Sequence, residues 1–361
     1  MKYIIVTGSA GLIGSQAVTY FAKKGYKIIG IDNDSRKYFF GQEGSNKQNK
    51  LNLIKSAINY EHFNYDIRDY KMLESVFKQR KTKIASIIHT AAQPSHDWAK
   101  KEPITDFTIN ANGTLNLLEL TRIYCPDASF IFTSTNKVYG DLPNKSYHST
   151  LPDSSYKNLL IKEKEHRYEG YFGVDLASID ETMSIDNSTH SLFGVSKCSA
   201  DLLCQEYGKY FNLNTGIFRG GCLTGPDHSG VELHGFLAYL IKCIKENKPY
   251  TIFGYKGKQV RDNIHASDLI SMFENFIHNP KQGEVYNVGG GRQNSISILE
   301  LLNIITENYN ISYNKFKIID DNRVGDHIWY ISDLTKFKAH YPKWEQQYTI
   351  HNIIDSIFSD K

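Results

Sequence analysis

The octet Thr7-Gly8-Ser9-Ala10-Gly11-Leu12-Ile13-Gly14 follows directly on the apolar run Tyr3-Ile4-Ile5-Val6. A buried strand must end there, turn within a few residues and re-enter as a helix, and few folds accommodate that with three spaced glycines. Gly8 allows the tight turn, Gly11 lets the backbone approach a ligand, and Gly14 lets helix and strand pack closely. Backbone N–H groups and the helix dipole then face an incoming pyrophosphate. The amphipathic stretch Leu12 to Lys24 follows, and a second apolar run, Tyr26 to Ile31, ends in Asp32. An acid about 20 residues beyond the glycines accepts a ribose 2′-hydroxyl. It would repel a 2′-phosphate, so the pattern predicts NAD rather than NADP. Gly8, Gly11, Leu12, Ile13, Gly14, Asp32 and Asn33 are the expected contacts.

Strand patterns at 2–7, 26–31, 60–64, 84–89, 129–133 and 214–219 alternate with helical ones. This predicts an α/β fold, a Rossmann-type doubly wound parallel sheet with right-handed crossovers. Ligands lie at the carboxyl ends of such strands. Asp66 and Ile67, after the third strand, are candidates for the adenine end, although Asp66 also suits a helix cap. Ala91, Ala92 and Gln93, after the fourth, leave room beside a nicotinamide ribose. From Leu223 onward, short strands at 250–253, 258–264 and 284–288 are interrupted by helices near 234–247, 267–278 and 296–308. The expected division is a cofactor domain at 1–222 and a smaller C-terminal α/β substrate lobe at 223–361, with 260–270 returning to the first domain. The aperiodic stretch 141–189 is either a lid or a surface excursion, and its length favours a lid.

Charge excludes several partners. The 42 Lys and Arg nearly balance the 39 Asp and Glu, and no basic block stands out, which argues against nucleic acid or an anionic membrane. Apolar runs are strand-sized, far below the roughly 20 residues that cross a bilayer. The five cysteines form no Cys-x-x-Cys pair and the 13 histidines show no ligand spacing. These features predict a cytoplasmic protein without a metal site or a disulfide framework.

Ser134-Thr135-Asn136-Lys137-Val138-Tyr139-Gly140 ends the fifth strand, and Ser191-Leu192-Phe193-Gly194-Val195-Ser196-Lys197 opens a helix. Together with the octet, these segments resemble the extended short-chain dehydrogenase/reductase family of nucleotide-sugar epimerases and dehydratases, over essentially the whole chain. His89 to Trp98, the Thr-Asn-Lys triplet and Arg261-Asp262-Asn263 look most like its CDP-paratose 2-epimerase branch. The resemblance implies NAD as cofactor, a nucleotide sugar (CDP-linked, inverted at carbon 2) as substrate, and a homodimer. It assigns Thr135 to the reacting hydroxyl and Lys197 to the nicotinamide ribose and the site's electrostatics. The family's catalytic tyrosine belongs four residues before Lys197, and Phe193 stands there.

A phenyl ring neither takes nor gives a proton. Lys137, His190 and Tyr139 are the nearby substitutes, with Lys137 and His190 joining the catalytic candidates. The other readings are an active variant of the tyrosine enzyme and a protein that binds NAD and nucleotide sugar without turnover. A 4,6-dehydratase of this family carries Asp-Glu where this chain has Asn136-Lys137, so elimination is disfavoured; reductase and decarboxylase chemistry remain alternatives. By the same resemblance Arg219 belongs with the cofactor, Arg261 and Arg323 with a diphosphate, and Ser95, His96, Asn136, Gly221, Val231 and His234 with the substrate.

Overall fold

The inner strands of the first half carry apolar residues in succession because both faces of their sheet are covered. In β1 (Tyr3–Thr7), Ile4 and Val6 enter one core cluster and Ile5 the other. The computed structural model describes residues 2–56, 59–148, 159–228, 230–232, 235–320 and 326–359. β1, β2 (Lys27–Ile31), β3 (Tyr60–Phe63), β4 (Ile84–His89) and β5 (Ser129–Thr135) make up most of the central sheet. β9 (Asn214–Gly220) and β13 (Glu284–Val288) complete it. All seven strands run parallel in the order β13-β9-β5-β4-β1-β2-β3. The order reverses at β1 and β4, which is where a crevice opens in a doubly wound sheet.

The helices Leu12–Lys23 and Ala266–His278 cover one face, burying Val18, Phe21, Leu269 and Phe273 against Ile4 and Val6. The opposite face buries Leu73, Leu117 and Ala200, from the helices Tyr70–Arg80, Gly113–Tyr124 and Leu192–Tyr210, with Ile5, Ile87 and Phe130.

The second lobe is built from smaller sheets. β12 (Val260–His265) pairs with β10 (Cys222–Thr224), β14 (Ser295–Ser297) and β16 (Trp329–Tyr330), and β11 (Tyr250–Phe253) pairs with β15 (Phe316–Ile319). Its own core joins Leu240, Ile252, Leu301 and Ile353.

The strand pairing bears on the expected domain division. The cut at 222/223 fails because β13 is the edge strand of the central sheet and the helix Ala266–His278 packs on that sheet. Conversely, β12 itself pairs only within the second lobe, so the expected return at 260–270 begins with the helix. The stretch 141–189, in its described part, packs on the second lobe. Its antiparallel strands β6 (Leu159–Glu163), β7 (Tyr168–Phe172) and β8 (Asp175–Leu176) bury Leu159, Ile161 and Tyr168 against Val260 and Trp329. None of its described residues lines the cleft below.

Among the described residues, no helix is long and apolar enough to cross a membrane.

Candidate active site

The carboxyl ends of the central strands and the facing wall of the second lobe enclose one large cleft. At one end of it the glycine octet turns as the sequence requires. Gly8 has φ +67°, a conformation open to glycine, and a methyl added there would meet Ala91 N at 2.7 Å. A methyl on Gly14 would lie 2.0 Å from the Gly8 carbonyl oxygen, so Gly14 sits beneath the cleft as packing rather than as lining. Gly11 caps the first helix without any side-chain cap, leaving the first-turn N–H groups at Leu12 and Ile13 for an anion. Gly8, Gly11, Leu12 and Ile13 all line the wall.

Asp32 ends β2 in the same wall, accepting from Ala10 N–H at 3.0 Å and Asp34 N–H at 2.8 Å. Burial pushes its carboxyl upward against the pull of those two amides. Asn33 donates to Asp66 at 3.1 Å, and Asp66 is held below the usual carboxylate range because the Arg68 pair overcomes its burial. Asn33, Asp66, Ile67, Ala91 and Ala92 line the cleft. Gln93 does not: it is wholly buried, donating to the Ser95 carbonyl at 2.8 Å and to Asp106 at 2.7 Å.

The middle of the cleft holds the chemistry-bearing side chains. Thr135 caps the short turn Asn136–Tyr139, its hydroxyl accepting from Lys137 N–H at 3.2 Å. Lys197 reaches in from the helix Leu192–Tyr210, donates to the Thr133 carbonyl at 2.7 Å and lies 4.2 Å from the Phe132 ring centroid. Burial draws its ammonium down to about 8. Lys137 is drawn down to about 8 as well, by burial and by Arg261, against the opposing carboxylate of Asp326. Asp326 pairs with Lys137 at 3.4 Å and with Arg261 at 2.6 Å. Asn136 and Gly221 complete this wall. Phe193 also lines it, 7% exposed, with the His96 ring edge-on at 4.9 Å; His96 shares a 2.5 Å hydrogen bond with Ser191.

Several expected site residues lie elsewhere. Arg219 is buried away from the cleft, forming paired 2.9 Å bonds with Asp201 and a 3.1 Å bond to the Tyr139 hydroxyl. Burial pulls its guanidinium down, but Asp201 overrides that and raises it. His190 donates to the Val138 carbonyl at 2.7 Å and does not face the cleft. The Tyr139 hydroxyl donates to Asn287 at 2.7 Å, again outside it. Ser95 is the N-cap of the helix His96–Lys101, and Val231 is buried off the wall. His234 and Arg323 lie outside the described residues.

The structure adds lining residues that no motif announced. Arg36, Asn46 and His228 stand toward the cofactor end, and Tyr250 and Phe253 on the second lobe. Gln259, Arg261 and Asn263 share one face because a strand sends alternate side chains to the same side. That polar alternation was the available signal. The buried Gln259 Oε1 and Asn263 Oδ1 have no hydrogen-bond partner, so this wall offers unspent acceptors to a ligand.

The family model for NAD dependent epimerases and dehydratases matches residues 4–159 and 171–289. The chain belongs to that family. Its members take NAD, the cofactor that the glycine octet and Asp32 predict, and they are enzymes. The chain is 33% identical to a CDP-paratose 2-epimerase of Salmonella typhi over 319 residues, 85% of each chain. It is 29% identical to a dTDP-D-glucose 4,6-dehydratase of Dictyostelium discoideum, over 80% of this chain and 58% of that one. Its fold is that of the UDP-glucuronic acid 4-epimerase of Bacillus cereus, with TM-score 0.75 at 24% identity over 99% and 98% of the chains. Nucleotide-sugar chemistry is thus common to the epimerases and dehydratases it is similar to.

Proposed function

We propose that the chain is an NAD-dependent nucleotide-sugar epimerase, acting on a CDP-linked sugar at carbon 2. The observation that carries this reading is the pair beside Thr135. An elimination needs both an acid and a base there, and of the pair in the cleft only Lys137 can carry a proton, Asn136 being an amide. Epimerisation through a transient ketone needs one group to take and return the hydroxyl proton, with oxidation, turning of the sugar and reduction on its other face. The similarity to the CDP-paratose 2-epimerase favours the CDP-sugar and carbon 2.

NAD, held by the glycine octet, Asp32 and Lys197, supplies reversible acceptance of hydrogen and an electron pair from the sugar carbon. The first-turn amides at Leu12 and Ile13 neutralise its pyrophosphate, and Asp32 accepts from its ribose. Thr135 orients the reacting hydroxyl. Arg261 exchanges part of its pairing with Asp326 for the substrate's diphosphate.

The test is incubation of pure protein with CDP- and UDP-sugars in deuterated water, followed by NMR. The expected product is a new epimer without deuterium at the inverted carbon. Loss of water with solvent label in the sugar sinks the epimerase reading in favour of a dehydratase. Phe193 in the cleft wall motivates a second reading, a protein that binds cofactor and nucleotide sugar without turnover. Saturable binding with no product from any sugar supports it.

A further inference from the structure

Resting on the epimerase reading, we propose that Lys137 takes the hydroxyl proton from the sugar and returns it, held in position by Asp326. A proton acceptor must line the cleft close to Thr135, and the other titratable groups nearby are committed elsewhere. The position four residues before Lys197 is the phenyl ring of Phe193. Lys197 donates to the Thr133 carbonyl, and His96 is tied to Ser191 with its ring edge-on to Phe193. Burial pushes the Cys222 thiol up to about 12, so it keeps its proton. His190 and Tyr139 do not face the cleft.

Lys137 does line it, two residues after Thr135 on a turn that the Thr135 hydroxyl closes. Its main chain abuts the start of the helix that carries Phe193: a methyl on Gly194 would come 3.0 Å from the Lys137 carbonyl oxygen. Among the described residues, the charged and titratable groups facing the amine include Asp326 and His327, Arg261 on β12, and Cys222 on β10. Burial, then Lys137 and Arg261, hold His327 well below its ordinary value, so it stays neutral. Lys137 and Arg261 thus both pair with the carboxylate of Asp326. An ammonium drawn down to about 8 is neutral in about one molecule in ten at pH 7, where an ordinary lysine is neutral in fewer than about one in a thousand.

The step balances. The sugar O–H bond breaks, its proton goes to the Nζ lone pair, and its electron pair becomes the second bond of the carbonyl. The carbon–hydrogen pair leaves to the oxidant named above. On return the ammonium gives the proton back to the oxygen, so lysine and sugar end with the protons they began with. Asp326 acts through Lys137 and is a positioning residue.

The test joins kinetics to a readout independent of turnover. In wild-type protein, acylation of Lys137 by acetic anhydride, followed by peptide mass spectrometry across pH, is expected to reach half its maximum near pH 8; a midpoint near 10.5 overturns the proposal. Asp326→Asn removes the carboxylate that raises the amine. It is expected to move both that midpoint and the acid limb of the kcat profile to lower pH, and an unmoved limb overturns the positioning role. Lys137→Met and Lys137→Arg are expected to lower kcat about 10²–10⁴-fold while still binding NAD. Either variant within threefold of wild type overturns Lys137 and leaves the epimerase standing. A wild-type protein that turns over no sugar removes the epimerase reading and, with it, the proton role.

Discussion

Arg219→Met separates a structural arginine from a cofactor ligand. Its side chain is 5% exposed and that of Asp201 1%, so the substitution strands a carboxylate in the interior. Asp201 keeps bonds from Ser134 at 2.6 Å and Gln205 at 2.7 Å but loses both guanidinium bonds. Breaking a buried pair from one side costs about 3–5 kcal/mol. Unfolding entropy of about 2.1 cal/mol/K per residue comes to about 0.76 kcal/mol/K for this chain, so Tm is expected to fall by about 4–7 °C. The double variant Arg219→Met with Asp201→Leu removes both charges and is expected to recover most of that loss. The assays are thermal unfolding and NAD titration by intrinsic fluorescence on protein confirmed as folded. NAD affinity is expected to stay within about twofold, because Arg219 does not reach the cleft. A tenfold or greater loss of NAD affinity at unchanged Tm would falsify this account and restore Arg219 as a cofactor ligand.

Three further substitutions probe the same geometry. Gly14→Ala places a methyl 2.0 Å from the Gly8 carbonyl oxygen and is expected to cost about 1–3 kcal/mol or more and to weaken NAD binding at least tenfold, read by unfolding and titration. Lys137→Met is expected to stabilise the fold by about 3 kcal/mol at neutral pH. The native amine loses its proton near 8 and the unfolded one near 10.5, so the wild type gains stability as pH rises between them; the advantage of the variant is full below about 8 and gone above about 10.5, as urea unfolding across pH would show. His190→Ala is expected to cost about 1 kcal/mol for the lost bond to Val138 and to leave kcat within twofold; a hundredfold loss of kcat returns His190 to the chemistry.

The central sheet was legible because its signal is local. A strand buried on both faces must be apolar in succession, and β1, β2, β4, β5 and β9 each begin and end within about two residues of the expected positions. The membership of β13 was not legible: its apolar run at 284–288 was expected, but its place beside β9 depends on a contact some seventy residues away in the chain. β10, β14 and β16 are two or three residues long, too short for any periodicity, and exist only because β12 lies between them. The hairpin strands β6 and β7 gave no clean alternation because the apolar Leu160 is exposed and the acidic Glu169 is buried.

The candidate site divides along the same physical line. Residues whose backbone does the work, such as Gly8 and Gly14, announce themselves, because a positive φ or a 2.0 Å approach leaves glycine few rivals. Residues whose side chains act across the cleft do not. Arg219 and Arg261 both sit in strands at motif positions, yet one turns inward to Asp201 and the other faces the cleft with Asp326. What separates them is the partner each meets, and neither Asp201 nor Asp326 adjoins its arginine in sequence. The same holds for Lys137. Sequence offered it as one of several basic or phenolic groups near Thr135, and a place in the cleft wall beside Arg261 and Asp326, supplied by segments more than a hundred residues downstream, separates it from His190 and Tyr139. Phe193 removes the phenolic hydroxyl expected from the family resemblance, a loss plain from one residue. The group able to replace it is defined only by the walls of the cleft.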